Sequence, residues 1–160
     1  MKHARWLIGL ILVLAAAACG SGSGTRPIVA QPGQRVPASA IHRLTAIADR
    51  AVTANGGHPA AWATAVVTTQ TKAQTLAFHS TPGDSGAKAI VYLVSIKGEF
   101  VCGACTRPAG GHAATDTYLL LIIDAKTFEG NAFGISPKPP PSPALFGPVT
   151  YLTVHPHAKS

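Results

Sequence analysis

The sequence has little charge. Of its 160 residues only 12% are Asp, Glu, Lys or Arg, about half of the roughly 25% that is usual in soluble domains. This composition excludes a long charged coiled coil and a highly charged disordered chain. The basic residues are also scattered along the chain, so the clustered Lys and Arg of a nucleic-acid-binding surface are missing. We therefore expect no nucleic-acid partner.

The composition nevertheless allows a folded core. Apolar residues make up 47% of the chain, and its length is that of one domain. The 16 glycines and 13 prolines predict that a good part of the chain forms loops or linkers. A protein with several membrane spans is excluded, since each span needs about 20 consecutive apolar residues.

The N-terminus has the layout of an export signal. Lys2, His3 and Arg5 form a basic start, residues 6–18 carry no charge, and small residues end the stretch. This order predicts a secretory signal peptide at residues 1–18. The uncharged stretch is shorter than the roughly 20 residues of a membrane-spanning helix, which favours a cleaved signal over an anchor.

The residues around Cys19 specify the kind of signal. Ala16, Ala17 and Ala18 come directly before Cys19, and a Gly/Ser stretch follows it. This pattern resembles the lipobox of bacterial lipoproteins. The resemblance implies that Cys19 becomes the new N-terminus and carries a diacylglyceryl group, which would anchor an extracytoplasmic protein in the cell membrane. An ordinary A-x-A cleavage site is the alternative.

The other two cysteines allow three interpretations. Cys102 and Cys105 are separated by Gly-Ala, and with Cys19 they make an odd count; if they pair, Cys19 is the spare thiol that lipidation uses. A local disulfide fits an oxidising compartment. A redox pair would need a helix after it, and zinc would need two more ligands, such as His112. We favour the disulfide and predict no metal site.

The remaining motifs predict no catalytic residue. Residues 83–86, G-D-S-G, resemble the nucleophile loop of chymotrypsin-like proteases, but that family needs two barrels and roughly twice this length. A turn explains these residues better. The six acidic side chains are spread out, and no phosphate-binding glycine loop occurs, so no cofactor is predicted.

Residues 20–38 are rich in Gly, Ser and Pro and predict a flexible tether in front of a domain at residues 39–154, with residues 155–160 as a C-terminal tail. Ser39 is predicted to cap a helix that has an apolar face of period 3.6 and a stop at Asn55-Gly56.

The patterns that follow predict a strand at 62–69, a short helix at 71–78, a strand at 89–101 bent at Gly98, an apolar strand at 117–124, a turn at 125–130, a return strand at 131–135 and an edge strand within 146–154. The strand at 117–124 is apolar on both faces, so it should be central and covered on both sides. The order predicts an α+β domain, one N-terminal helix packed on a curled antiparallel sheet of about four strands.

Three stretches resemble known sequences. Residues 91–100, 121–130 and 146–152 resemble small uncharacterised lipoproteins and secreted proteins of high-GC Gram-positive bacteria. The I-D-A-K-T hairpin also resembles PepSY-type and cystatin-like domains, in which a helix crosses a curved sheet. The chain departs from the PepSY pattern at Phe128-Glu129, where that pattern has Gly-Glu. The resemblance implies a fold and no assigned activity.

These features together predict a membrane-tethered, non-enzymatic binding module of the cell envelope, held by its lipid anchor. Its partner would be an envelope protein or a cell-wall polymer. The alternative is an exported thiol–disulfide redox protein or metal-binding protein that uses Cys102 and Cys105.

Overall fold

A computed structural model describes residues 30–56, 62–80, 86–101 and 115–155. The elements in these ranges are α1 (Ala38–Ala54), β1 (Trp62–Thr69), α2 (Gln70–Ala77), β2 (Ile90–Val101), β3 (Thr115–Asp124), β4 (Gly130–Ser136), a 3-10 turn (Pro143–Leu145) and β5 (Thr150–Leu152). The strands form one antiparallel sheet in the order β4-β3-β2-β1-β5. The predicted α+β class is confirmed, with five strands instead of about four because the short β5 pairs with β1.

The sheet is covered by a helix on each face. Ala40, Leu44, Ala48 and Val52 form the buried side of α1, and they pack on the face of the sheet that includes Val94. The opposite face has a second core. Its buried residues come from β1, α2, β2, β3 and the segment after the 3-10 turn: Val66, Ala73, Ala77, Val91, Leu93, Leu120, Ile122 and Phe146.

The apolar strand β3 lies between these two cores. Leu119, Leu121 and Ile123 belong to the α1 core, while Leu120 and Ile122 belong to the α2 core. The prediction that this strand is covered on both sides is therefore confirmed. It lies inside the sheet, and β2 occupies the middle position.

Gly98 bends β2 as predicted. The register between β2 and β3 shifts between Lys97 and Phe100. A Cβ atom on Gly98 would lie 2.9 Å from Cζ of Phe100. The glycine therefore gives the Phe100 ring, which is 1% exposed, the space to pack against the strand itself.

The predicted cap of α1 is wrong. The helix begins at Ala38, with Pro37 at the capping position and no side-chain capping hydrogen bond. The fixed backbone angle of Pro37, φ −58°, favours starting the helix there, so Ser39 already lies inside the first turn. The predicted stop is confirmed: the Asn55 amide donates to the Ala51 carbonyl, and Gly56 takes a φ of +63°.

The chain in front of α1 is packed from Ala30 onwards. Ala30 and Val36 are both 5% exposed and belong to the α1 core, and the Gly33 amide donates to the Val67 carbonyl at 3.4 Å. Residues 30–38, which the Gly/Ser/Pro composition assigns to the tether, are therefore part of the domain. The reason is that two apolar side chains in this segment can reach the sheet; the tether prediction for residues 20–29 lies outside the described residues.

Candidate binding site at the β4 edge

Most of the residues singled out from the sequence lie outside the described ranges. This applies to Cys19, Cys102, Cys105 and His112, so lipidation and the disulfide stay predictions, and it applies to residues 83–85 of the G-D-S-G stretch. Within the described ranges, no group of three or more His, Cys, Asp or Glu side chains has the geometry of a metal site. No helix in those ranges is long and apolar enough to cross a bilayer.

The strand β4 forms one edge of the described sheet. Its seven residues, G-N-A-F-G-I-S, contain neither a charged residue nor a proline, two of the devices with which edge strands avoid unwanted pairing. A third device, a bulge, is present near its start, where the register with β3 shifts between Ile122 and Ile123. It pairs with β3 on one side. Phe133 in the middle of the strand is 49% exposed. No other described strand pairs with the outer side of β4, so among the described residues its backbone donors and acceptors there are open to a further strand.

An apolar depression lies between α1 and β4. It has a volume of about 240 Å³ and is lined by Ile47 of α1, Leu121 and Ile123 of β3, and residues 130–133 of β4. We call it the α1–β4 groove. α1 makes its main contacts with β2 and β5. On the same face Leu121 and Ile123 of β3 are buried, whereas Phe133 of β4 is half-exposed, so the depression opens beside β4.

The opposite face of β4 is closed. A Cβ atom on Gly134 would lie 3.0 Å from Cε1 of Phe78, so the Phe78 ring covers the strand there. The side-chain Nδ2 of Asn131 donates to Oε1 of Gln70 at 3.2 Å, which connects the start of β4 to α2. The strand is thus supported from the α2 side, and the groove opens on the α1 side.

A tight turn leads from β3 into β4. Oδ1 of Asp124 accepts hydrogen bonds from the backbone amides of Thr127 and Lys126, both at 2.8 Å. The hydrogen bond from the Thr127 amide is the main reason why the pKa of Asp124 lies below its ordinary value; the Lys126 amide acts in the same direction. The turn therefore holds its carboxylate in the ionised form.

Phe128 completes this turn in the left-handed region, with φ +64°, which usually favours glycine. Its ring packs against Tyr92, with the ring centroids 5.5 Å apart, and the Arg43 guanidinium lies 3.9 Å from its centroid. These contacts offset the backbone strain. They explain how a phenylalanine is accommodated at a backbone conformation that usually favours glycine. Burial raises the pKa of Tyr92.

Basic residues flank the groove on α1. Arg43, Ile47 and Arg50 follow one another at positions i, i+4 and i+7, so they share one side of the helix. Arg43 reaches the β3–β4 turn, and Ile47 lines the groove. On the other side of α1, Oδ1 of Asp49 accepts a hydrogen bond from the backbone amide of His155 at 2.7 Å. The charge on the groove side of α1 is therefore positive.

Half-buried aromatic residues form a second feature, on the α2 face of the sheet. Trp62, Lys97 and Tyr118 are in register across β1, β2 and β3, and the two aromatic rings are 6.2 Å apart. Tyr151 on β5 is 77% exposed and pairs with Thr64. Trp62, Lys97 and Tyr118 thus form a row of side chains across three strands, and the groove on the other face is the feature that adjoins an edge strand.

The groove was missed in the prediction from sequence, although two signals for it are present. The helical spacing of Arg43, Ile47 and Arg50 and the absence of charge from residue 130 to residue 136 are both readable in the sequence. What cannot be read there is that they meet, since they are far apart in the chain.

No protein-family model, curated protein or solved structure matches the chain. The resemblance of its hairpin to PepSY-type and cystatin-like domains therefore stays a prediction.

Proposed function

We propose that this protein is a lipid-anchored, extracytoplasmic binding module of the cell envelope that acts on its partner by binding and not by catalysis. The observation that carries the proposal is the uncharged β4 edge beside the apolar α1–β4 groove. An unpaired strand edge and an adjacent apolar depression are the two parts that proteins combine to bind an extended peptide.

The anchor is supported by the sequence. The basic start, the uncharged residues 6–18 and the alanines before Cys19 together have the layout of a lipoprotein signal. Two acyl chains give stable membrane attachment, whereas one gives only marginal binding. No membrane-spanning helix is then needed for the protein to stay at the bilayer.

The position of Ala30 limits how far the domain can stand from the membrane. Ala30 is buried in the core, and ten residues separate it from Cys19. Fully extended, this length of chain spans at most about 40 Å. The module would therefore bind partners close to the membrane surface, either in the membrane or in the adjacent cell wall.

The test of the anchor is the substitution Cys19→Ala in the full-length chain, followed by fractionation of the producing cells. We expect the wild-type protein in the membrane fraction and the variant in the soluble or secreted fraction. Cys102→Ser serves as the matched control, because it also removes one thiol but should leave the protein in the membrane. A soluble wild-type protein with an unmodified Cys19, identified by mass spectrometry, would contradict the proposal.

The test of binding against catalysis uses the C-G-A-C pair. The purified protein is assayed for insulin reduction and thiol exchange. If it has such an activity and the activity disappears in the Cys102→Ser and Cys105→Ser variants, the redox alternative is correct and the binding module is not. Binding of a partner that persists in both Ser variants is the expected result.

A further inference from the structure

We infer that the α1–β4 groove binds an extended segment of a partner protein that pairs with β4 as a sixth strand and carries the side-chain pattern acidic–x–apolar–x–acidic. This inference rests on the proposed function, since it specifies the partner chemistry of the same site. Three features contribute separately to the binding of this segment: backbone pairing, an apolar centre and two flanking charges.

The backbone contribution comes from β4. Its seven residues have one paired side, towards β3. A new strand would lie about 4.8 Å farther out and would use the unpaired amides and carbonyls of β4. The Phe78 ring and the Asn131–Gln70 hydrogen bond fasten β4 on the α2 side, so the strand is already ordered before a partner pairs with it.

The apolar contribution comes from the groove. Phe133 pairs with Leu121 in register, so both side chains point to the α1 face. Leu121 is 8% exposed, whereas Phe133 is 49% exposed. An apolar side chain on an added strand would cover the exposed part of Phe133 and contact Ile47, which lines the groove from the helix side.

The charged contribution comes from α1. Arg43 and Arg50 are exposed and lie on either side of Ile47 along the helix. At 1.5 Å per helical residue they are offset from Ile47 by about 6 Å and about 4.5 Å. Alternate side chains of a strand are about 6.7 Å apart. Three alternate side chains on the α1 face of an added strand that runs along the helix would therefore have a spacing close to that of Arg43, Ile47 and Arg50.

Charge complementarity makes the outer two positions acidic. After removal of Lys2 and Arg5 the chain has eleven Lys and Arg against six Asp and Glu, a formal charge of +5, so the whole field also favours an acidic partner. The apolar centre with acidic flanks distinguishes this segment from a purely polyanionic polymer, which would lack the central apolar contact.

The test measures binding of labelled peptides to the full chain in detergent micelles by fluorescence anisotropy. The probe is the peptide T-E-T-V-T-E-T; the controls are T-K-T-V-T-K-T and the acidic peptide with N-methylated backbone amides. We expect the acidic peptide to bind at least about tenfold more tightly than the lysine peptide at low salt, and the methylated peptide to lose binding because it cannot pair with β4.

The Arg50→Glu variant, alone and with Arg43→Glu, should reverse the preference in favour of the lysine peptide. Phe133→Lys should abolish binding, and Tyr151→Lys is the matched control on the other edge. Circular dichroism checks that each variant is folded; Arg50→Glu avoids the contact of Arg43 with Phe128. Equal binding of both peptides, or full binding of the methylated peptide, would overturn the inference.

Photo-crosslinking in intact cells separates this inference from the proposed function. A photoreactive side chain at position 133 should capture a partner that contains the acidic–x–apolar–x–acidic pattern, and capture should be lost in the Arg43→Glu/Arg50→Glu variant. Capture of a partner only from position 151 would agree with a binding module but would contradict binding at the α1–β4 groove. Capture of a second copy of this chain from position 133 would make the edge a self-interface and overturn the partner chemistry. No capture from any surface position would contradict both proposals.

Discussion

β5 and β4 form the two edges of the described sheet; neither carries a charge or a proline, and they differ in length and in how their side chains are buried. β5 is three residues long, and its Leu152 is 6% exposed in the α1 core. The chain after it is held to α1 by the His155–Asp49 hydrogen bond. β4 is seven residues long, carries no charge and presents a half-exposed Phe133.

The difference shows that the two edges of one sheet can be protected to different degrees. The short length of β5 limits strand pairing at that edge, a device that soluble proteins commonly use. The same chain leaves the longer β4 edge without charge or proline. We attribute the longer, open β4 edge to pairing with a bound segment. The adjacent groove gives that segment a defined position.

The largest expected effect comes from the closed edge. Leu152→Ala should lower the free energy of unfolding by about 2–4 kcal/mol, because it opens a cavity in the core beneath a strand of only three residues. Tyr151→Ala is the matched control: its side chain is 77% exposed, so the change should stay within about 0.5 kcal/mol. Urea denaturation of the purified variants measures both, and equal effects would contradict the assignment of Leu152 to the core.

The turn that leads into β4 gives the next effect. Phe128→Ala should destabilise the protein by roughly 1–3 kcal/mol through loss of ring packing. Phe128→Gly should be less damaging than Phe128→Ala by about 1 kcal/mol, since glycine adopts the positive φ without strain. Thermal unfolding compares the two variants. A glycine variant clearly more stable than the wild type would mean that the Tyr92 and Arg43 contacts contribute less than the backbone strain they offset.

The open edge should tolerate a change that the closed edge does not. Phe133→Ala should cost less than about 1 kcal/mol of stability, because half of the side chain is already exposed in the folded state. Comparison with Leu152→Ala under the same denaturation conditions measures the contrast between the edges. A loss as large as that of Leu152→Ala would mean that the β4 edge is part of the core and not a binding edge.

The smallest effect is a dependence on pH. The pKa of Asp124 is lowered in the folded state, first by its hydrogen bond from the Thr127 amide. Its stabilising contribution is therefore present above the ordinary carboxyl pKa of about 4 and is lost as the pH falls through the lowered value. The carboxyl is largely exposed, so the contribution is screened to about 0.5 kcal/mol at most.

Asp124→Asn keeps an acceptor oxygen for the turn but removes the titration. The difference in unfolding free energy between wild type and variant should shrink between pH 6 and pH 3. Glu129→Gln, which removes an exposed carboxyl of the same turn, is the control for general charge effects. A difference that grows as the pH falls would reverse the assigned direction of the pKa shift.

Much of the fold follows from local patterns. The richness in β-branched and aromatic residues predicted β1 at the bounds it has, Trp62–Thr69, because strand propensity is a property of the segment's own side chains. Gly98 predicted the bend in β2, since a missing side chain is itself a local signal. The cap at Ser39 was predicted wrongly because Pro37, two residues earlier, also starts a helix, and propensity alone does not choose between them.

The strand lengths, the apolar periods and the candidate lipid anchor at Cys19 can thus be read from the sequence, because each depends on neighbours in the chain. The tertiary structure decided the rest. It brought Ala30 and Val36 into the core, and it set α1 over β2 and β5 so that a groove remained beside β4. Ile47 and Phe133 line the same groove only because the sheet order puts β4 at an edge. That order results from packing two apolar faces at once, which no single segment of the sequence specifies.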